Sequence, residues 1–294
     1  MLLNAFLDYL RYERGSSVRT ITEYRGDLKA FESFYKTLDP NFSWETVDTD
    51  IAREWMVNMV KGGHKATSVH RRLSALRSFY KFLYRRGYVE KNPVLLLAAP
   101  KRSRILPSFL RDEEMERLLD QEGMFANSFK GRRDRLIIDM FYETGLRVSE
   151  LVGLNLEDIN LNSCTIRVLG KRNKQRMVPF GERLLSNLYA YSEERIQIPD
   201  VDEKAFLVSR NGHRLSAETV RRMVNHKLAQ VSTLHHRSPH VLRHTFATSM
   251  LNHKANLYAV KQLLGHESLS TTEIYTHMTF EELKREYNEA HPRA

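Results

Sequence analysis

In the N-terminal third of the chain, apolar residues recur at the three- and four-residue spacing of helices with one buried face. Leu3, Phe6, Leu7 and Leu10 form one stripe; Ile21, Tyr24, Leu28, Phe31 and Phe34 form a second; Ile51, Trp55 and Met59 form a third. Gly15, Gly62, Gly63 and Gly87 fall between elements, where the chain has to turn. A fourth helix is predicted from about Thr67 to Arg86, with Val69, Leu73, Leu76, Phe79, Tyr80 and Leu83 on its inner face. Together these predict a compact helical bundle over residues 1–93.

The stretch from Asn92 to Pro107 breaks the pattern. Prolines at 93, 100 and 107 disfavour a continuous helix, and the basic KRSR segment gives a charged tether, so residues 94–107 read as a linker. Residues 108–294 then form a second domain. Helices are expected near Arg111 to Leu119, through Leu136, Ile137, Met140 and Phe141 up to Gly145, around Leu184, Leu185 and Leu188, and from Ser216 to Leu228. Cys164 to Leu169 and Met177 to Phe180 read as two strands joined by GKRNKQR, and Ala205 to Val208 as a short strand turning at Asn211-Gly212.

Towards the C-terminus, Ser238 is placed to cap a helix whose first position is Pro239, which has no N–H to lose. A helix from Leu257 to Leu264 is closed by Gly265, and Ser270 or Thr271 offers a cap for a short helix carrying Tyr275. A terminal helix at about 281–290 carries Leu283 and Tyr287. The fold class is mainly α in two domains: a helical bundle, then an α-rich domain with a small antiparallel β-sheet.

Charge sharpens this picture. The 294 residues carry a formal net charge of +10, which points to a polyanionic partner, nucleic acid before membrane. From Lys61 to Arg104 the only acidic residue is Glu90, and the fourth helix displays Arg71, Arg72, Arg77, Lys81, Arg85 and Arg86. Solvated helix faces usually mix both signs, so this one is read as a phosphate-contacting face. The hairpin presents Lys171, Arg172, Lys174 and Arg176 as a second basic cluster. One cysteine, Cys164, excludes an internal disulfide framework and a multi-cysteine zinc site. No apolar run is long enough to span a bilayer, and a reducing cytoplasm is the expected compartment.

Singly, a helical histidine, an arginine beside a glycine cap or a tyrosine near an apolar face is most often structural. Jointly, Arg147, Lys171, His240, Arg243, His266 and Tyr275 contain the parts that phosphodiester chemistry needs: a nucleophile, cations for the nonbridging oxygens and an acid for the leaving oxygen. Glu150 is placed to orient Arg147. There is no compelling carboxylate cluster, HExxH motif or glycine-rich GKS loop.

With GLRVSEL, GKRNKQR, HVLRHTFA, LLGH and STTEIYTH in this order, the chain resembles the tyrosine recombinases, specifically the bacterial XerC/XerD branch, over nearly its whole length. The resemblance implies a SAM-like core-binding domain and a catalytic domain forming a clamp on double-stranded DNA. It further implies Tyr275 as the nucleophile that leaves a 3′-phosphotyrosine, Arg147 and Arg243 as the phosphate clamp, and Lys171 as general acid. His240 and His266 would assist proton transfer, with Glu150 supporting Arg147. Such recombinases need neither metal nor ATP, so no cofactor is expected. The hairpin departs from the family in having Arg172 where glycine is common, which leaves Lys174 as a second candidate acid.

The resemblance also implies a homo- or hetero-tetramer on two DNA sites, exchanging strands through a Holliday junction. The helix at about 281–290 would dock on a neighbouring protomer. The expected role is resolution of chromosome dimers at a dif-like site, with a sister recombinase and a septal DNA translocase as candidate partners. Alternatives are a mobile-element integrase or invertase, a type IB topoisomerase, a metal-dependent nuclease, and an architectural DNA-binding protein without catalysis.

Overall fold

In the computed structural model the described residues are 1–101, 108–170, 174–265 and 278–294. The chain divides into two compact units, Met1–Ile105 and Leu106–Ala294.

The first unit packs four helices: α1 (Leu2–Asp8), α2 (Val18–Leu38), α3 (Thr49–Lys61) and α4 (Ala66–Arg85). The chain leaves α1 through a π-helical turn at Tyr9–Glu13. Side chains fix two of the helix starts: Ser17 accepts from the Thr20 amide at 3.2 Å, and Asp48 from the Ile51 amide at 2.8 Å. The predicted stripes meet in one aromatic-rich core, where Trp44 lies edge-on to Phe79 at 4.7 Å and the Tyr80 hydroxyl donates to the Trp44 carbonyl at 2.9 Å.

The expected domain end at residue 93 falls inside this unit. Val94 and Leu97 are buried in its core, and Thr49 donates to the Pro93 carbonyl at 2.9 Å. Prolines do exclude a helix here, but the extended chain satisfies its carbonyls on α4. Arg77 donates to Val94 and Leu97, and a His70 ring nitrogen lies 2.7 Å from the Pro100 oxygen.

The second unit is built round α6 (Phe129–Thr144), whose second half is buried on every side. It packs against α8 (Glu182–Arg195) and α10 (Pro239–Asn252), while α5 (Asp112–Asp120) and α9 (Ala217–Val231) cover a further side. A short α7 (Val148–Gly153) leads to a three-stranded antiparallel sheet of β1 (Ile159–Asn160), β2 (Thr165–Leu169) and β3 (Gln175–Pro179). In the β2–β3 register, Ile166 faces Val178 and Val168 faces Arg176. α11 (Leu257–Leu264) and α12 (Phe280–Ala290) complete the unit.

Two local expectations are corrected and one strand is added. Residues 205–208 make only two isolated bridges, Asn155 to Ala205 and Val208 to Arg214, and side chains take several of the other main-chain groups. The Tyr191 hydroxyl donates to Phe206 at 3.2 Å and accepts from the Val208 amide at 3.0 Å, and Arg195 donates to Ala205 at 3.1 Å. β1 adds a strand that two residues of sequence could not signal. Ser238 stands at the N-cap of α10 with Pro239 after it, but its side chain makes no capping bond.

The helix expected at about 281–290 is α12, and here it lies on its own unit. Tyr287 is fully buried and donates to Glu143 at 3.2 Å; His291 stacks on the Tyr287 ring at 5.2 Å. Arg293 reaches Asp120 and Asp139. A side chain at Gly181 would strike the Arg293 carbonyl at 2.5 Å, so this close approach requires glycine. Among the described residues no helix is long and apolar enough to cross a membrane.

Candidate active site

Two glycine-closed helix ends create the site. α6 ends at Gly145 in the left-handed conformation (φ 59°), and α11 ends at Gly265 in the same way (φ 63°). At Gly145 an added Cβ would lie 2.6 Å from the Phe246 ring and 2.8 Å from Leu264, so the α6 end is pressed against both α10 and α11. The chain therefore reverses sharply, and Arg147 becomes the N-cap of α7.

Arg243, on the inner face of α10, spans both turns. It donates from Nη1 to the Gly145 carbonyl at 2.5 Å and from Nη2 to the Leu264 carbonyl at 2.6 Å. Arg147 donates from Nη2 to the Gly265 carbonyl at 3.2 Å and from Nη1 to Glu150 at 2.7 Å. Helix ends leave carbonyls without intrahelical partners, and these guanidiniums supply the missing donors. Each guanidinium has five N–H groups, and among the described residues two on each are committed. Among the described residues the remaining donors have no hydrogen-bond partner.

Glu150 is the hub of the cluster. Its Oε2 accepts from the Arg147 amide at 2.8 Å, the glutamate half of a capping box, since an arginine side chain has no acceptor to return the bond. Arg176 then grips both carboxylate oxygens at 2.9 Å and donates from Nε to the Leu263 carbonyl at 2.9 Å. Burial pushes the Glu150 carboxyl up, but hydrogen bonds from Arg176 and the Arg147 amide, with the charge of Arg176 and the Arg147 side-chain hydrogen bond, outweigh it, and the group stays below the ordinary carboxylate range.

Three guanidiniums against one carboxylate leave the site with excess positive charge. Burial, then the charge of Arg147, pulls the Arg243 guanidinium down to about 10, so it remains a cation at neutral pH. His240 lies one turn before Arg243, on the exposed side of α10. Partial desolvation, then Arg243, His244 and Arg147, hold its imidazole below the usual histidine value. A neutral ring at pH 7 can accept a proton.

Thus the structure brings Arg147, Glu150, His240 and Arg243 together. Lys171, Arg172, His266 and Tyr275 lie outside the described residues. In sequence, His266 directly follows Gly265, and Lys171 and Arg172 precede β3.

The residues read as DNA-contacting divide into two groups. Arg176 was expected on the hairpin surface but is turned inward, its side chain only 14% exposed. The strand period carried the signal: Arg176 shares a face with buried Val178, two residues on. Lys174 is exposed. On α4, Arg71 pairs with buried Asp27, Arg72 stands 3.8 Å from the same carboxylate, and Arg77 holds the Val94 and Leu97 carbonyls. Lys81 and Arg85 are exposed without ion-pair partners among the described residues.

Comparison with known proteins gives a consistent result. Residues 108–282 match the model of the "Phage integrase family", and residues 3–87 that of the "Phage integrase, N-terminal SAM-like domain". The chain is 40% identical to the tyrosine recombinase XerC of Staphylococcus carnosus over 293 residues, covering 99% of this chain and 97% of that protein. It is 39% identical to XerC of Haemophilus influenzae over 292 residues, with 99% and 97% covered. Among solved structures, XerA recombinase shares 30% identity over 100% of this chain and 99% of that one, with a TM-score of 0.50. XerH bound to a palindromic difH substrate, in a post-cleavage complex, is similar in fold, with a TM-score of 0.71 at 24% identity and coverage of 95% and 78%.

Proposed function

The chain belongs to the phage integrase family of tyrosine recombinases, enzymes that cut and rejoin DNA, and from that premise we propose how its residues divide the reaction. Tyr275 attacks the scissile phosphate. The bond to the 5′ oxygen breaks, a 3′-phosphotyrosine forms, and Lys171 protonates the departing 5′-hydroxyl. Arg147 and Arg243 hold the nonbridging oxygens with donors that their backbone anchors leave free. A tyrosine hydroxyl ordinarily ionises near about 10, so attack at neutral pH needs a base and stabilisation of the developing charge. Neutral His240 serves as the base, with His266 assisting; the arginine pair stabilises the charge. The phosphotyrosine bond conserves the energy of the broken phosphodiester, and rejoining runs the same steps backwards.

The single observation that supports this reading is the braced arginine pair. Two guanidiniums are held against successive turns beside a neutral imidazole, at a net energetic cost that an anionic phosphate would offset.

The first unit serves as the core-binding domain and the second as the catalytic domain, acting as a tetramer on two duplex sites through a Holliday junction. Full-length similarity to XerC proteins favours resolution of chromosome dimers at a dif-like site in the bacterial cytoplasm. A sister recombinase and a septal DNA translocase are the expected partners.

Covalent trapping tests the reading. The purified protein, in chelator and without ATP, is incubated with nicked suicide duplexes drawn from the host's dif-like sequence and from mobile-element ends. A denaturant-stable adduct on the dif-like duplex, absent in Tyr275→Phe, is the expected result. An adduct confined to mobile-element ends overturns the chromosomal role, and an adduct that survives Tyr275→Phe overturns the nucleophile.

A further inference from the structure

Glu150 presents a problem of charge. It is a buried carboxylate hydrogen-bonded to Arg147, a residue assigned to the substrate phosphate. If Arg147 were its only cation, carboxylate and phosphate would compete for one guanidinium. The structure supplies a second cation, Arg176, which binds both oxygens in a fork and faces away from solvent. With Arg176 in place each Glu150 oxygen has two donors: Oε1 from Arg147 and Arg176, Oε2 from the Arg147 amide and Arg176.

The same guanidinium touches a third segment. Its Nε donates to the Leu263 carbonyl, and the side chain packs on the Gly265 turn so closely that an added Cβ there would lie 3.2 Å from its Cδ and Nη1. Leu264 and Gly265, the next two residues, carry the carbonyls that anchor Arg243 and Arg147. One side chain on β3 therefore joins the hairpin, the α7 cap and the end of α11.

We infer that Arg176 is a positioning residue for strand cleavage: it neutralises and orients Glu150 so that Arg147 stays aimed and keeps its charge for the scissile phosphate, and it locks the β-hairpin to the α11 turn. The inference rests on the recombinase reading above. Lysine cannot replace this arginine, because one ammonium cannot span two carboxylate oxygens and a carbonyl at once.

Among the described residues, the charged groups facing Glu150 are Arg147 on its own cap, Arg176 on β3 and Arg243 on α10. Removing Arg176 deletes the strongest hydrogen-bonding contribution to the ionised carboxylate while burial persists, so Glu150 takes up a proton more readily. The defect should therefore deepen towards acid pH.

The test is single-turnover adduct formation on a nicked duplex, followed from mildly acid to mildly alkaline pH, with DNA affinity and melting temperature measured alongside. Arg176→Ala is expected to cleave about tenfold slower or worse, with affinity within about twofold of wild type. Its rate relative to wild type should be lowest at acid pH, and Arg176→Lys should recover part of the loss. In Glu150→Gln with Arg176→Ala, that pH-dependent difference should vanish. Wild-type cleavage by Arg176→Ala overturns the inference, as does an equal loss of affinity and rate in a ratio that ignores pH. If Arg176→Ala fails to fold, Arg176→Lys is read alone: slow cleavage at unchanged affinity and melting temperature supports the assignment, and wild-type cleavage overturns it. A wild-type protein that forms no adduct on any duplex, alone or with a sister recombinase added, refutes the catalytic reading itself.

Discussion

Arg147 and Arg243 rest on consecutive carbonyls of one helix end: Arg243 donates to Leu264 at 2.6 Å and Arg147 to Gly265 at 3.2 Å. Their separation is thus set by the α11 turn, even though the two residues lie on different helices. Neither position should tolerate lysine, which keeps the charge but loses the fork. Arg147→Lys and Arg243→Lys are each expected to slow adduct formation by about a hundredfold or more, with DNA affinity changed far less; single-turnover trapping and a binding isotherm check this.

The acid limb of the cleavage profile should belong to His240. Desolvation and the neighbouring cations favour its neutral form, so the apparent pKa lies below the ordinary value of about 6.5. As a base it works when unprotonated, so the rate rises with pH through that value and then levels. His240→Gln is expected to lower the plateau and remove this limb, as seen in single-turnover rates across pH.

Glu143 makes stability, rather than catalysis, depend on pH. Burial, then the nearby Asp139, pushes its carboxyl up to about 8 from an ordinary 4.5, so the folded chain holds a proton that the unfolded chain releases. Between those values the native state binds more protons, and stability falls as pH rises. Glu143→Gln mimics the protonated form and should flatten this fall, a result thermal melts across the window would show.

On α4 the basic residues should separate by function. Arg77→Ala removes donors from two carbonyls and is expected to cost about 1–3 kcal/mol of stability, leaving the salt dependence of DNA binding in place. Lys81→Gln with Arg85→Gln should leave melting unchanged but weaken binding and flatten its dependence on salt. Calorimetry and a salt titration distinguish the two outcomes.

Helix ends were the most legible feature of the sequence. Gly145 and Gly265 each marked where an apolar period stopped, and both adopt the left-handed conformation that such an ending requires. The apolar stripes of α1 to α4 likewise reappear in one core, because burial of one face is what the spacing encodes. What stayed hidden depends on long-range partners. Nothing near Arg71 or Arg77 in the chain reveals Asp27 or the Val94 carbonyl, so both looked like surface charge. Residues 205–208 have strand-like composition, but distant Tyr191 and Arg195 take some of the main-chain groups that strand partners would otherwise bind. Arg147, Glu150 and Arg243 could be named from their types and surroundings, but the shared carbonyls appear only in three dimensions.

Those carbonyl anchors also bear on how the enzyme can diverge. Every amino acid, proline included, carries a main-chain carbonyl, so no point substitution at Gly145, Leu264 or Gly265 can delete an acceptor; it can only displace one. The Glu150–Arg176 pair has no such insurance, since a change in either takes two hydrogen bonds from the other while it stays largely buried. A lineage drifting towards new DNA targets is therefore free to vary its outer surfaces while the arginine cradle is inherited almost automatically, whereas Glu150 and Arg176 have to be kept or exchanged together.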